Sequence, residues 1–126
     1  MKYIFILIAA AVFSCSEANA QQQLTGLWYS ADSSRVYEIT ALPGNTFAAV
    51  LQSSSRKTDK PGYAVIQHLV YNGRKKRYEG NIYATNDTTP AFVKITFDKK
   101  DKRKLILKIN RLLVMDVAIN WTRVTS

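Results

Sequence analysis

The sequence predicts an all-β protein, folded as a single antiparallel up-and-down barrel of eight strands. Three observations lead to this prediction. Runs of strand-forming residues recur about every ten residues, turn-forming residues separate the runs, and apolar side chains alternate with polar ones inside them. Since no stretch has the 3.6-residue period of an amphipathic helix, the domain is expected to contain strands and turns only.

The turn signals divide the chain into eight segments. Pro43-Gly44-Asn45 suits a tight turn, and Asn72-Gly73 is a strong hairpin signal. The longest connection, 53–62, is polar and ends in Pro-Gly, so we expect it to be the most flexible one. The predicted strands are 26–30, 34–41, 46–54, 64–71, 76–84, 91–98, 103–109 and 113–124.

Alternation within the strands assigns one face of each to the core. The core-facing residues include Tyr37 and Ile39, then Val93, Ile95 and Phe97, then Leu105, Leu107 and Ile109, then Val117, Ile119 and Trp121. The last strand is long, so we predict a bend near Met115-Asp116. Consecutive hairpins that close on themselves leave no exposed sheet edge, which favours a barrel over an open sheet.

The first 20 residues are typical of a secretory signal peptide. Lys2 is followed by an apolar run over 3–13, which is too short to span a bilayer, and Ala-Asn-Ala at 18–20 suits signal peptidase. Residues 21–126 then form the exported domain, periplasmic or secreted. The alternative is a lipoprotein anchored through Cys15, although Phe13 fits the lipoprotein pattern poorly. Because Cys15 is the only cysteine, the domain holds no disulfide in either case.

The domain is strongly basic. The whole chain carries a net charge of +9, and the predicted signal removes one basic and one acidic residue, so the domain keeps that charge. Such a charge favours anionic partners, such as a membrane surface or an acidic glycan. Nucleic acid is not expected as a partner, since the protein is exported and its basic runs lack interleaved aromatic residues.

Two basic runs fall on predicted turns. In an up-and-down barrel, the second, fourth and sixth turns lie at the same end, which we call the basic pole. The runs would place nine basic residues there as candidates for an anionic contact. A solvated end that resists aggregation explains the same charge equally well. The nine residues are Arg74, Lys75, Lys76, Arg77, Lys99, Lys100, Lys102, Arg103 and Lys104.

Three short motifs carry a family resemblance. They are Gly-Leu-Trp at 26–28, Tyr-Glu-Gly-Asn-Ile-Tyr at 78–83 and Asn-Trp-Thr-Arg at 120–123. In this order they resemble an uncharacterised family of small secreted bacterial proteins with a lipocalin-like (calycin-type) barrel. The resemblance implies that Trp28 plugs one end of the barrel and that Arg123 packs across it. We therefore expect Trp28, Trp121 and Arg123 to close the barrel and to serve the fold.

The same resemblance implies a ligand site at the end opposite to the plug. The candidate residues for a small apolar or amphipathic ligand are Tyr37, Phe47, Tyr63 and Tyr83. An eight-stranded barrel is narrow, so large side chains are able to fill its interior and leave no room for a ligand.

Catalytic chemistry finds little support in the sequence. His68 is the only histidine and lies in the middle of a predicted strand, and the carboxylates are scattered along the chain. No phosphate-binding glycine loop and no nucleophile elbow is present in the sequence. We therefore expect no catalytic residue, no metal site and no cofactor.

Three functions remain as hypotheses. The first is a non-enzymatic envelope protein that binds a small apolar or amphipathic ligand. The second is a basic interaction module that docks on an anionic membrane, a glycan or an acidic protein. The third, related to the second, is an inhibitor of an acidic hydrolase. The sequence leaves the ligand and the oligomeric state open.

Overall fold

The computed structural model describes residues 24–83, 89–111 and 115–124, except for the side chains of residues 111, 115 and 116. These residues form a closed barrel of eight antiparallel strands in sequence order, which confirms the predicted fold class. The predicted signal peptide, residues 1–20, and Cys15 lie outside the described residues. Within the described part of the chain, no helix has the length and apolar character needed to cross a membrane.

Each strand begins and ends within two residues of its predicted bounds. The strands are β1 (Gly26–Tyr29), β2 (Arg35–Leu42), β3 (Thr46–Ser54), β4 (Ala64–Asn72), β5 (Arg77–Ile82), β6 (Ala91–Phe97), β7 (Lys104–Arg111) and β8 (Met115–Arg123). Met115 and Asp116 pair with Arg111 and Asn110 in the β7–β8 ladder, and the bend predicted near them stays a prediction.

The barrel closes through its shortest pairing. β1 lies between β2 and β8, and its ladder with β8 joins Trp28 to Arg123 and Tyr29 to Thr122. Beyond the ladder, the backbone N–H of Val124 donates to the carbonyl of Leu27 at 3.0 Å. Among the described residues, the ladder with β1 reaches only Thr122 and Arg123 of β8, so closure covers the sheet edge at that end of the strand.

Large apolar side chains fill the interior. Tyr37 stacks on Trp121 with ring centres 4.4 Å apart and an interplanar angle of 10°, and Phe47 meets Tyr78 edge-on at 5.6 Å. Among the described residues, no polar or charged residue is buried as a whole, although the side chain of Asp59 is only 4% exposed. The core also contains Leu24, Trp28, Ile39, Ala49, Leu51, Val65, Ile66, Leu69, Ile82, Ala91, Val93, Ile95, Leu105 and Leu107.

Val117 differs from its predicted place in the core. Trp121 is buried and Ile119 packs against the core, but Val117 on the same face is 58% exposed. Val117 pairs with Ile109 close to the outer ends of β7 and β8. The strands therefore extend past the last layer of the core, where alternation no longer implies burial.

A bulge in β4 accounts for the position of His68. The register between β4 and β5 shifts between Gln67 and Val70, and His68 has a φ of 56°. Its side chain is exposed, so it does not enter the core. Gly80 lies against this bulge, and a Cβ there would come within 3.0 Å of the Leu69 Cα. The bulge thus needs a glycine opposite it.

Candidate functional site

The topology gathers the three even-numbered turns at the basic pole. Residues 43–45 join β2 to β3, residues 73–76 join β4 to β5, and residues 98–103 join β6 to β7. Because all neighbouring strands are antiparallel, these turns share one end of the barrel with the start of β1 and the end of β8. The two basic runs of the sequence therefore lie at the same pole.

A groove of about 870 Å³ lies between the second and third of these turns. We call it the basic groove. Five lysines border it against one carboxylate, that of Asp98, and its volume falls in the range of small-molecule sites. The full lining is Tyr71, Lys75, Lys76, Tyr78, Ile95, Thr96, Phe97, Asp98, Lys99, Lys100, Ile106 and Lys108.

Side-chain hydrogen bonds shape the turn at 73–76. The side-chain carbonyl of Asn72 accepts from the backbone N–H of Arg74 at 3.1 Å and of Lys75 at 3.3 Å. Lys76 completes the turn with a φ of 53°. Arg74, Lys75 and Lys76 are exposed to solvent in this turn.

The turn at 98–103 is built in the same way. The Asp98 carboxylate accepts from the backbone N–H of Lys100 at 2.8 Å and of Asp101 at 3.3 Å. Asp101 in turn accepts from the backbone N–H of Arg103 at 3.0 Å. The carboxylate of Asp98 thus bonds to the turn itself, and among the described residues it forms no ion pair with the neighbouring lysines.

Ion pairs neutralise two of the nine basic candidates. Arg77 lies 2.8 Å from Glu79, and Arg103 lies 3.5 Å from Asp101. Hydrogen bonds from Asn72 and Arg77 hold the pKa of the Glu79 carboxyl below its usual value. Among the residues that the structure describes, no carboxylate forms an ion pair with the other seven, namely Arg74, Lys75, Lys76, Lys99, Lys100, Lys102 and Lys104.

Aromatic side chains form the apolar floor of the groove. Tyr71 and Tyr78 face each other across β4 and β5 with ring centres 5.0 Å apart. Tyr78 is buried and continues into the core through Phe47, whereas Tyr71 is 53% exposed. Burial raises the pKa of Tyr78, which keeps its hydroxyl protonated. The groove therefore offers ammonium groups above an uncharged, largely apolar surface.

Tyr71 and Tyr78 are not among the site residues predicted from the sequence. The hairpin signal at Asn72-Gly73 could have indicated them, because the residues that flank a hairpin turn face each other across the two strands. They pair directly in the structure, as Tyr71 opposite Tyr78. Their place beside a lysine-rich turn is thus readable from the sequence once the turn is located.

The four aromatic ligand candidates do not form one cluster. Tyr37 is buried against Trp121. Phe47 lies at the start of β3, next to the turn at 43–45, and so belongs to the basic pole. Tyr63 and Tyr83 border the opposite pole, where their backbones bond to Leu51 and Val65 at 2.8 Å.

The predicted closure residues pack together at the basic pole. The Arg123 guanidinium lies 4.2 Å from the centre of the Trp28 ring, and its Nη1 donates to the carbonyl of Thr25 at 3.0 Å. Trp28 Nε1 donates to the carbonyl of Leu24 at 2.9 Å. Trp121 lies deeper, where it stacks on Tyr37. The Trp28 ring lies 6.4 Å from that of Phe97, which lines the groove, so this cluster adjoins the groove.

Within the described residues, no three His, Cys, Asp or Glu side chains come together as a metal site. Comparison of the chain with protein families, with curated proteins and with solved structures finds no match. The structure defines the protein as an eight-stranded antiparallel β-barrel with a lysine-bordered groove at one pole.

Proposed function

We propose that this protein is a non-enzymatic, lipocalin-like binding protein of the bacterial envelope, and that it holds an anionic amphipathic molecule in the basic groove. The observation that supports the proposal is the composition of the groove, in which five lysines surround an apolar floor. Export to the envelope rests on the sequence of residues 1–20 alone.

The charges of the groove favour an anionic head on the ligand. Lys75 and Lys76 on one turn oppose Lys99 and Lys100 on the next, and Asp98 bonds to its own turn. A phosphate, sulfate or carboxylate between the two turns meets ammonium groups from both sides. Such contacts are strong when the geometry converges on one anion.

The floor of the groove favours an apolar body on the same ligand. Ile95 and Tyr78 are already buried, but Tyr71, Phe97 and Ile106 stay at least partly exposed, and an alkyl chain that covers these three removes apolar surface from water. The barrel interior serves this purpose less well, since Tyr37, Phe47 and Trp121 are buried against neighbouring side chains. The groove therefore supports a ligand at the surface of the barrel.

Calorimetric titration with decyl phosphate, below its micelle-forming concentration, tests the proposal. We expect binding to decyl phosphate, weaker binding to inorganic phosphate and little binding to uncharged decyl maltoside. The variant Lys75→Gln/Lys99→Gln should lose at least about tenfold in affinity. The matched control Lys57→Gln/Lys60→Gln loses the same charge from the 55–63 connection at the opposite pole and should bind as the wild type does.

Two results would contradict the proposal. The first is equal affinity for the charged and uncharged decyl compounds, because the lysines would then contribute nothing. The second is a set of amide chemical-shift changes confined to Tyr63, Tyr83 and their neighbours. That pattern would place the ligand at the opposite pole, as the family resemblance implies.

A further inference from the structure

Three exposed apolar side chains adjoin the basic groove. Leu42 is 46% exposed, Val70 is 42% exposed and Tyr71 is 53% exposed. Leu42 pairs with Thr46, and Thr46 pairs with Val70, so Leu42 and Val70 lie two strands apart on the outer face of the sheet. Two strand spacings place them about 10 Å from each other. Val70 lies near the end of β4, which leads into the basic turn at 73–76, whereas Leu42 ends β2, which leads into the uncharged turn at 43–45.

Lysines lie beside one of these side chains, that of Tyr71. Tyr71 precedes the turn that carries Lys75 and Lys76, and it lines the groove with both of them. The basic pole therefore presents apolar and cationic groups together at one end of the barrel. Proteins that lie on a bilayer use this combination, with apolar groups at the acyl boundary and basic groups among the anionic headgroups.

The geometry points to docking of the basic pole on an anionic lipid bilayer, with Leu42, Val70 and Tyr71 at the interface and the turn lysines among the headgroups. The inference goes beyond the proposed function, because the partner is a surface and because Leu42 and Val70 lie outside the groove lining. In the docked orientation the groove opens toward the headgroups.

The apolar residues favour lipid over other anionic partners. An acidic glycan pairs with the lysines but offers no apolar layer for Leu42 and Val70. A bilayer offers both, and its fluid surface adapts to side chains on a curved barrel end. Tyrosine also has the amphipathic character that favours the membrane–water interface, and Tyr71 is more than half exposed.

Co-sedimentation with vesicles tests the inference. The processed protein made by an expressing bacterium is mixed with vesicles of equal phosphatidylglycerol and phosphatidylcholine, or of phosphatidylcholine alone. We expect partition into the anionic vesicles that falls steeply between 50 and 500 mM NaCl. Lys75→Gln/Lys99→Gln should weaken it roughly 30-fold, at about fivefold for each lysine.

The apolar contact is tested with Leu42→Ser/Val70→Ser, which should weaken partition at least about fivefold. Phe92→Ser is the matched control, because Phe92 is 42% exposed like Val70 but lies at the other end of the barrel, at the start of β6. Leu42→Ser alone provides a second, milder variant at a strand end. Circular dichroism verifies that each variant is folded. Because all variants are processed at the same N-terminus, any leader or lipid contributes equally to their vesicle binding.

The inference is overturned if phosphatidylcholine vesicles bind as well as anionic ones, or if both serine variants partition like the wild type. It is also overturned if Phe92→Ser and Lys57→Gln/Lys60→Gln lose as much as the pole variants. The affinity for decyl phosphate separates membrane docking from ligand binding in the groove. The variant Leu42→Ser/Val70→Ser changes no residue of the groove lining, so it should still bind decyl phosphate. Loss of vesicle binding with unchanged decyl phosphate affinity supports docking, whereas decyl phosphate binding without vesicle binding refutes docking alone.

Discussion

The guanidinium of Arg123 lies across the face of Trp28, 4.2 Å from the ring centre, and bonds to the carbonyl of Thr25. This contact joins the last strand of the barrel to the first, where their backbone ladder has only two residue pairs. Gly26 makes room for it. A Cβ at that position would lie 2.8 Å from Arg123 Nη1, and its φ of 126° is strained for any other residue.

Replacement of Arg123 should therefore weaken closure of the barrel. We expect Arg123→Ala to lower the free energy of unfolding by about 2 kcal/mol or more, because it removes a cation–π contact and a charged hydrogen bond. Arg123→Lys should have a smaller effect, since the charge remains but the planar stack is lost. Urea unfolding measures both. A loss no greater than that of the exposed-site control Arg74→Ala would refute this role.

Gly80 should tolerate no side chain. We expect Gly80→Ala to cost about 1–3 kcal/mol, because its Cβ would approach the backbone of Leu69, Gln67 and His68 at 3.0 to 3.2 Å. Gly73→Ala is the control, since the nearest atom there, in the Tyr71 ring, is 3.9 Å away. Thermal unfolding compares the two variants. Equal melting temperatures would show that the bulge in β4 adjusts to a Cβ at position 80 without loss of stability.

The hydrogen bonds that hold the 55–63 connection at Asp59 should weaken in acid. Asp59, with its side chain only 4% exposed, accepts from Arg35 Nε at 2.6 Å and from Ser54 at 2.7 Å. These hydrogen bonds, that of Arg35 first, hold the pKa of the Asp59 carboxyl below its usual value. The connection predicted to be most flexible is thus tied to β2 and β3 at this residue.

The sign of the pH effect follows from the lowered pKa. The unfolded chain binds the proton more tightly, so the stabilisation by Asp59 is complete above the unfolded value of about 3.9 and is lost as the pH falls through the folded value. We expect the difference in unfolding free energy between wild type and Asp59→Asn to be largest near pH 7 and to shrink below about pH 4. A difference that stays constant down to pH 2.5 would contradict this.

Tyr37 should contribute to stability through its ring. We expect Tyr37→Ala to cost about 3–5 kcal/mol, because it leaves a cavity beside Trp121, and Tyr37→Phe to cost less than about 1.5 kcal/mol, because the stack persists. Tyr29→Ala, on the outer face of β1, should cost less than Tyr37→Ala. Near-ultraviolet circular dichroism follows the environment of Trp121. A fully stable Tyr37→Ala protein would indicate spare volume inside the barrel.

The strands were readable from the sequence because local rules define them. Alternation placed Val93, Ile95, Leu105 and Leu107 in the core, and all four are buried. Alternation failed at Val117, since it reports which face a side chain occupies but not where the core ends along the strand. The bulge at His68 was hidden for a similar reason, because its cause is the pairing of β4 with β5.

The positions of the basic candidates could be predicted from the sequence, but which of them border a common groove could not. The runs at 74–77 and 99–104 are plain in the sequence, and an up-and-down order brings them to one end of the barrel. The ion pairs in the structure distinguish the basic residues that contact a carboxylate from those that do not. Arg77 and Arg103 bond to carboxylates close by in the chain, whereas Lys75 and Lys99 border the groove.

The sequence by itself determined the number, order and bounds of the strands and the concentration of charge on two turns, because these depend on residues close together in the chain. Only the tertiary structure decided that Gly26 leaves room for the Arg123 guanidinium, that Asp59 bonds to Arg35, and that Tyr71 and Tyr78 lie between two sets of lysines. Such contacts depend on how neighbouring strands align around a closed barrel, and no local pattern fixes that alignment.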